Sequence, residues 1–369
     1  MIELASRPLA AIVAAIGAPG DGDEEGDALD ELALLLSNLD IRVTGRVVQK
    51  RRTPDPASFL GKGKTVEIKE FANATGANLL VVDDALSPTQ RSNLKKLTGL
   101  EVWDRAFTIM MIFERRANTS EAKLQVELAR LRYEIPSLKG LGRQMSRLGG
   151  GIGTRGPGET EFERHRRKLE RRVIFIEKNL RSVRKRRGEY RARRAREGAR
   201  VVSLVGYTNS GKSTLLRSLS KDMDILAADK LFSTLDTVTR KIRLPRGGSF
   251  MLSDTVGFIR KLPPELVAAF RATLEEVTNA DLLLLVVDAS APEPLANLEV
   301  VEETLSQVGA KDIPRIVVLN KIDRVREEAV FIAAGIASRG DDVARISALR
   351  REGLSELLEL IDKKLCEIT

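Results

Sequence analysis

The chain has 369 residues, 43% of them hydrophobic, with 61 Lys and Arg against 52 Asp and Glu for a net charge of +9, which suits roughly two or three packed domains and excludes wholesale disorder. Its one cysteine, Cys366, and one histidine, His165, exclude a disulfide scaffold, a multi-cysteine metal site and a histidine metal cluster. No apolar run approaches the ~20 residues of a bilayer span and no secretory signal is visible, so the expectation is a cytoplasmic protein without membrane insertion; a monomer is expected.

Residues 1–118 alternate short apolar runs with helix-like stretches. Leu9–Ile16, Ile41–Val48 and Leu79–Val82 read as strands, with Val102 in a fourth. Leu29–Leu39, Thr65–Thr75 and Thr89–Leu97 read as helices; Ser87 as cap, Pro88 first and Gln90 third give the last a clear start. This βα alternation predicts a small α/β domain with a parallel sheet. The acidic stretch Gly20–Asp27 offers Gly26 at the sixth position of a calcium loop counted from Asp21, but the twelfth is Leu32 where Glu is required, so it reads as a solvated acidic turn. Trp103, Met110 and Met111 are read as core.

Residues 119–197 differ in character. Glu121–Tyr133 carries Leu124, Leu128 and Leu131 at helical spacing, and Thr160–Glu197 carries the narrow stripe Leu169, Val173, Ile176 and Leu180. The two predict a long antiparallel helical hairpin. Between them lie Gly140-Leu141-Gly142 and the glycine-rich run Leu148–Gly158. Residues 139–200 hold 21 Lys and Arg against 7 Asp and Glu, more than the whole chain's excess of +9. Such a local field suits a polyanion. Arg143, Arg147 and Arg155, set among glycines that allow close backbone approach, are the candidate RNA contacts. His165, surrounded by arginines, is expected to be exposed and is given no catalytic role.

Residues 198–369 read as a second α/β domain, with strands at Val201–Val205, Ile242–Leu244, Phe250–Ser253, Leu282–Val287, Ile316–Leu319 and Val343–Ile346 and a last helix at about Leu354–Leu365. The first strand runs into Gly206-Tyr207-Thr208-Asn209-Ser210-Gly211-Lys212-Ser213 and then an apolar helix start. This is the phosphate-binding pattern GxxxxGK[ST] in its required strand–loop–helix setting: backbone N–H groups curl around phosphates, Lys212 supplies charge, and the Ser213 hydroxyl can ligate Mg²⁺. The third strand ends at Asp254-Thr255-Val256-Gly257, where Asp254 can hold the Mg²⁺ shell through water and the Gly257 amide can meet the terminal phosphate. Another ends at Asn320-Lys321-Ile322-Asp323. The Asp323 carboxylate can accept from guanine N1 and the 2-amino group, donors adenine lacks. Lys321 can lay its stem over the base while Asn320 braces the loop, and the backbone of Ser347-Ala348-Leu349 can read the guanine O6.

A GTPase also needs a segment that closes on Mg²⁺ and the last phosphate. It falls in Phe232-Ser233-Thr234-Leu235-Asp236-Thr237-Val238-Thr239, where Thr234, Thr237 and Thr239 compete. The position after Gly257, where many GTPases place a water-orienting Gln, is Phe258, so slow intrinsic hydrolysis is expected.

These residues resemble the HflX family of translational GTPases, within the Obg–HflX group. The likeness spans nearly the whole chain. It rests on Gly206–Ser213, Phe232–Asp236 and Asp254–Phe258 and, more specifically, on Leu60–Lys64, Asp83–Pro88, Lys123–Ala129 and Ser146-Arg147-Leu148 with the glycine-rich run through Thr160. Trp103–Met111 and Glu161–His165 depart from the usual family pattern. The resemblance implies a P-loop G domain with a mainly parallel sheet, preceded by a ribosome-binding α/β domain and hairpin. It also implies GTP as substrate, Mg²⁺ as cofactor, and the large ribosomal subunit and its RNA as partner and stimulator. It implies a role in dissociating or rescuing ribosomes under stress, selects Thr234 as the Mg²⁺-closing threonine beside Lys212 and Gly257 as catalytic groups, and implies that many members continue into a further small C-terminal domain. Two rival readings are an RNA-binding module with a silent nucleotide site and a GTPase that modifies tRNA or a small molecule. The intact Lys212, Ser213 and Asp254 oppose the first; the lack of acid/base groups in the flanking domain opposes the second.

Overall fold

The computed structural model describes residues 9–17, 24–148, 157–196, 199–220, 238–261, 266, 276–325 and 327–368. By compactness the chain falls into two units, Met1–Arg115 with Leu124–Lys178 and Arg116–Lys123 with Asn179–Thr369. The boundaries at 118 and 197 drawn above follow composition, a different criterion.

In the first unit, β1 (Ala10–Gly17), β2 (Arg42–Lys50), β3 (Leu79–Val82) and β4 (Glu101–Asp104) form a parallel sheet in the order β2-β1-β3-β4. The helices α1 (Glu24–Ser37), α2 (Lys62–Thr75), α3 (Pro88–Thr98) and α4 (Arg105–Arg116) alternate with them. β3 is buried at every position and β1 at all but one, as continuous apolar runs covered on both faces require. The start of α3 is a full capping box: Gln90 N donates to Ser87 Oγ at 3.2 Å and Ser87 N donates to Gln90 Oε1 at 2.9 Å.

Two readings of this unit are corrected. The acidic stretch is not all turn, because Glu24–Asp27 opens α1, whose Leu32 is fully buried; residues 20–23 lie outside the described set. And α4 was not expected. Ala106, Ile109, Met110 and Phe113 recur at helical spacing and are all buried, so the periodic signal was present in the sequence and was not used. Trp103 is buried as expected, packed edge-on to Phe107 with centroids 5.1 Å apart.

The long helices are α5 (Ser120–Leu148) and α6 (Pro157–Arg196). Arg132 pairs with Glu177 at 2.8 Å and Arg172 with Glu127 at 2.7 Å, across the two helices. Leu128, Leu131 and Ile176 are buried, and His165 is exposed. Because α5 continues past Pro136 to Leu148, it includes Gly140-Leu141-Gly142. Arg143 and Arg147 are therefore helical positions rather than loop positions; their side chains, and the whole of Arg155, lie outside the described residues.

The second unit is built on a six-stranded sheet in the order β10-β9-β8-β5-β7-β6. Its strands are β5 (Arg200–Gly206), β6 (Val238–Arg243), β7 (Ser249–Asp254), β8 (Leu282–Asp288), β9 (Arg315–Asn320) and β10 (Asp342–Arg345). β6 alone among them is antiparallel. The order departs in both directions from β5, so a crevice opens at the C-terminal end of that strand. Alternation along β8 shows how the layers form. Leu282, Leu284 and Val286 join Leu215 and Leu216 of α7 (Lys212–Ser220) and Leu357 and Ile361 of α10 (Leu354–Glu367). Leu283, Leu285 and Val287 face the other way, toward Leu298 and Val301 of α8 (Pro294–Gln307) and Ile336 of α9 (Glu328–Ala337).

Candidate nucleotide site

Four of the sequence motifs stand together at the C-terminal ends of β5, β7, β9 and β10. The loop after β5 curls because its glycines have no room for a side chain. At Gly206 a β-carbon would lie 2.2 Å from Val286 O, and at Gly211, with φ 95°, one would lie 2.2 Å from Asn320 Nδ2. Asn209 takes a left-handed φ of 61° between them. Lys212 opens α7 and folds back over the loop, its Nζ donating to Gly206 O at 3.0 Å and Tyr207 O at 2.8 Å. Burial lowers its pKa from 10.5 to about 8; the Asp254 carboxylate pulls the other way and the Lys321 ammonium adds to the lowering. The Ser210 hydroxyl is buried with no hydrogen-bond partner among the described residues.

Asp254, at the end of β7, is fully shielded, and its Oδ2 accepts from Ser213 Oγ at 2.6 Å. A hydroxyl and a carboxylate at that separation are hard oxygen donors of the kind Mg²⁺ takes alongside nucleotide phosphates. No group of three or more His, Cys, Asp or Glu that could hold a metal ion occurs among the described residues. Thr255 Oγ1 donates to Leu204 O at 2.6 Å, fixing the exit from β7 against β5. Gly257 lies hard against the phosphate loop: a β-carbon there would sit 2.8 Å from Thr208 Cα and 3.0 Å from Lys212 Nζ. Phe258 N donates to Gly206 O at 3.0 Å and Thr208 N donates to Phe258 O at 2.7 Å. The Phe258 side chain turns inward, 2% exposed, into the core with Val205, Val277 and Leu285.

The base-reading end is joined to the phosphate end by one side chain. Asn320 Nδ2 donates to Ser210 O at 2.9 Å, and Ala348 N donates to Asn320 Oδ1 at 2.9 Å. Ser218 Oγ adds a 2.6 Å bond to Ala348 O. Ile322 N donates to Ile346 O at 3.3 Å, which seats the loop carrying Asp323 beside the segment after β10. The Asp323 carboxyl is held below its ordinary pKa, first by the Ser347 hydroxyl and then, among other groups, by the Arg350 guanidinium, so it is a carboxylate acceptor at neutral pH. Ser347 and Ala348 are buried while Leu349 is exposed.

Of the expected site residues, Phe232-Ser233-Thr234-Leu235-Asp236 lie outside the described residues. Sequence reasoning missed Asp288 and Arg350. The first is ion-paired with Lys321 at 2.6 Å and the second lies 3.6 Å from Asp323. The signal for Asp288 was its place at a strand's C-terminal end, the edge on which the other groups gather.

Three family descriptions match successive parts of the chain: "GTP-binding GTPase N-terminal" over residues 26–114, "GTP-binding GTPase Middle Region" over 116–194 and "50S ribosome-binding GTPase" over 201–321. A GTPase HflX of Caldanaerobacter subterraneus subsp. tengcongensis is 45% identical over 100% of this chain and 83% of its own length. The GTPase HflX of Escherichia coli K12 is 41% identical over 93% of this chain and 80% of its own. Among solved structures, the SsGBP–GDP complex shares the fold at 26% identity with a TM-score of 0.52, covering 98% of this chain and 99% of that one.

Proposed function

The chain belongs to the HflX family of GTPases, and from that premise we propose that it hydrolyses GTP at this site with Mg²⁺, on the large ribosomal subunit, to dissociate or rescue ribosomes under stress. The observation that carries the reading is the Asn320 side chain, which spans Ser210 and Ala348 and so makes the phosphate loop and the Asp323 loop two ends of one site.

In this reading the backbone N–H groups of Gly206–Ser213 and the Lys212 ammonium hold the phosphates, and the Ser210 hydroxyl finds its partner there. Asp323 accepts from guanine N1 and the 2-amino group, and the backbone of Ser347–Leu349 meets the O6. Mg²⁺ held by Ser213 and, through water, by Asp254 would spread the charge that builds on the phosphate oxygens. Thr234 would close that shell, and the Gly257 amide would meet the last phosphate. Phe258, buried in the core, takes no part in aligning water, so the aligning group comes from elsewhere in the bound assembly. The family description over residues 201–321 names 50S ribosome binding, and the basic excess of residues 139–200 suits ribosomal RNA.

Co-sedimentation with ribosomes and isolated subunits, in GDP against a non-hydrolysable GTP analogue, tests the proposal together with GTP turnover in the same mixtures. Analogue-dependent binding to large subunits with accelerated turnover is expected. Binding that ignores the nucleotide would instead favour a passive RNA-binding module.

A further inference from the structure

Asp288 is the last residue of β8 and stands in register with Asn320, the last of β9. The residue that follows, Lys321, has φ 65°, in the left-handed region that side-chain-bearing residues rarely adopt. Its Nζ lies 2.6 Å from Asp288 Oδ2, in the range of a charge-assisted bond. The second carboxylate oxygen is anchored separately: Asp288 Oδ1 accepts from Ser290 N at 2.9 Å and from Ser290 Oγ at 2.7 Å. Ala289 N donates to Asn320 O at 2.9 Å, tying the two strand ends together beyond the sheet. The carboxylate is therefore fixed from its own turn and presents one oxygen to the lysine. The two side chains are 20% and 16% exposed, so water and salt screen the pair only in part.

A lysine stem with an untethered ammonium samples many rotamers. Tethering the ammonium fixes the run of its four methylenes. On the guanine-nucleotide reading above, on which this inference rests, that stem covers the face of the base. We infer that Asp288 is a positioning residue for nucleotide binding, which holds Lys321 so that its apolar stem lies along the purine ring. A contact made with the ring face does not depend on the groups at its edge. Asp288 therefore contributes equally for guanine, hypoxanthine and xanthine, whereas Asp323 distinguishes among them by the 2-position.

The test is titration of the full chain with GDP, IDP and XDP, using the parent, Asp288→Asn, Lys321→Met and the double variant. Asp288→Asn is expected to weaken all three nucleotides by one common factor, about fivefold to tenfold. In the Lys321→Met background, where the stem remains and the ammonium is gone, Asp288→Asn should change nothing further. Ser290→Ala should give a smaller common loss that also vanishes in that background, and it carries the cycle if Asp288→Asn does not fold. Unchanged GDP affinity in Asp288→Asn, or an equal loss with and without the Lys321 ammonium, would overturn the role. If the parent itself binds no guanine nucleotide, the base-reading assignment fails and this inference with it; a parent that binds normally beside an indifferent Asp288→Asn sinks this inference alone.

Discussion

A β-carbon on Gly211 would lie 2.2 Å from the amide nitrogen of Asn320, in the space that lets Asn320 reach Ser210 and Ala348. Gly211→Ala is therefore expected to expel the Asn320 amide as well as strain a backbone at φ 95°. Asn320→Ala should cost about 1–3 kcal/mol of stability by leaving buried backbone groups unpaired. Both variants should lose GDP affinity at least tenfold, and denaturant unfolding alongside GDP titration separates the two effects. Parent-like affinity in both would show that the bridge does not organise the site.

Asp323→Asn should weaken GTP and move preference toward xanthosine nucleotides, whose 2-oxo group suits an amide donor. Competition of XDP against labelled GDP reads this directly. A site that reads hydrogen-bonding groups can discriminate by ~10⁴ or more, so a variant with undiminished guanine preference would remove Asp323 from base reading.

Nucleotide binding should be linked to proton uptake through Lys212. Burial holds its pKa at about 8, and phosphates brought to the ammonium favour its charged form. Below about 8 the lysine is already protonated and this linkage is silent. Above it, binding must take up a proton, so log affinity for GDP should fall with a slope approaching one per pH unit up to the ordinary lysine range. Calorimetry in buffers of different ionisation heat, at pH 7 and pH 9, would register the uptake. Identical heats at both would contradict it.

Phe258→Gln should not create a fast GTPase. Position 258 is 2% exposed and packed against Val205 and Leu285, so the introduced amide is buried where it cannot reach water, at a cost of roughly 3 kcal/mol in stability. Turnover without ribosomes should stay slow, while Ser213→Ala and Thr234→Ala should each lower the ribosome-stimulated rate. A single-turnover assay of Phe258→Gln showing strong acceleration would mean that the side chain faces the nucleotide.

Replacing Arg143, Arg147 and Arg155 with Ala should weaken ribosome binding and flatten its dependence on salt, by up to about one log–log unit for each phosphate no longer neutralised. GTP affinity without ribosomes should be untouched. Binding across a salt series that keeps the parent slope would place the RNA contacts elsewhere.

The reasons some elements were legible and others were not are physical. β8 was plain because helices cover both faces of its strand, leaving an unbroken apolar run from Leu282 to Val287. α3 announced itself through Ser87, Pro88 and Gln90, whose bonds form as the spacing implied. α4 starts directly where β4 ends, with no turn residue to mark the change, and the second half of α5 was masked by Pro136 and the glycines after it, residues that usually end a helix. In the site, Gly206–Ser213, Asp254–Gly257, Asn320–Asp323 and Ser347–Leu349 were legible as runs of consecutive residues at strand ends. The pairing of Asp288 with Lys321 was not, because it depends on how β8 lies beside β9, and pairing register is not written in either segment alone.

The two bonds that join Phe258 to Gly206 and Thr208 use main-chain atoms at both ends. A side chain adds a third bond to this link, because the Tyr207 hydroxyl accepts from Arg260 N at 3.0 Å. Movement of either segment is therefore carried to the other by main-chain bonds together with one tyrosine side chain.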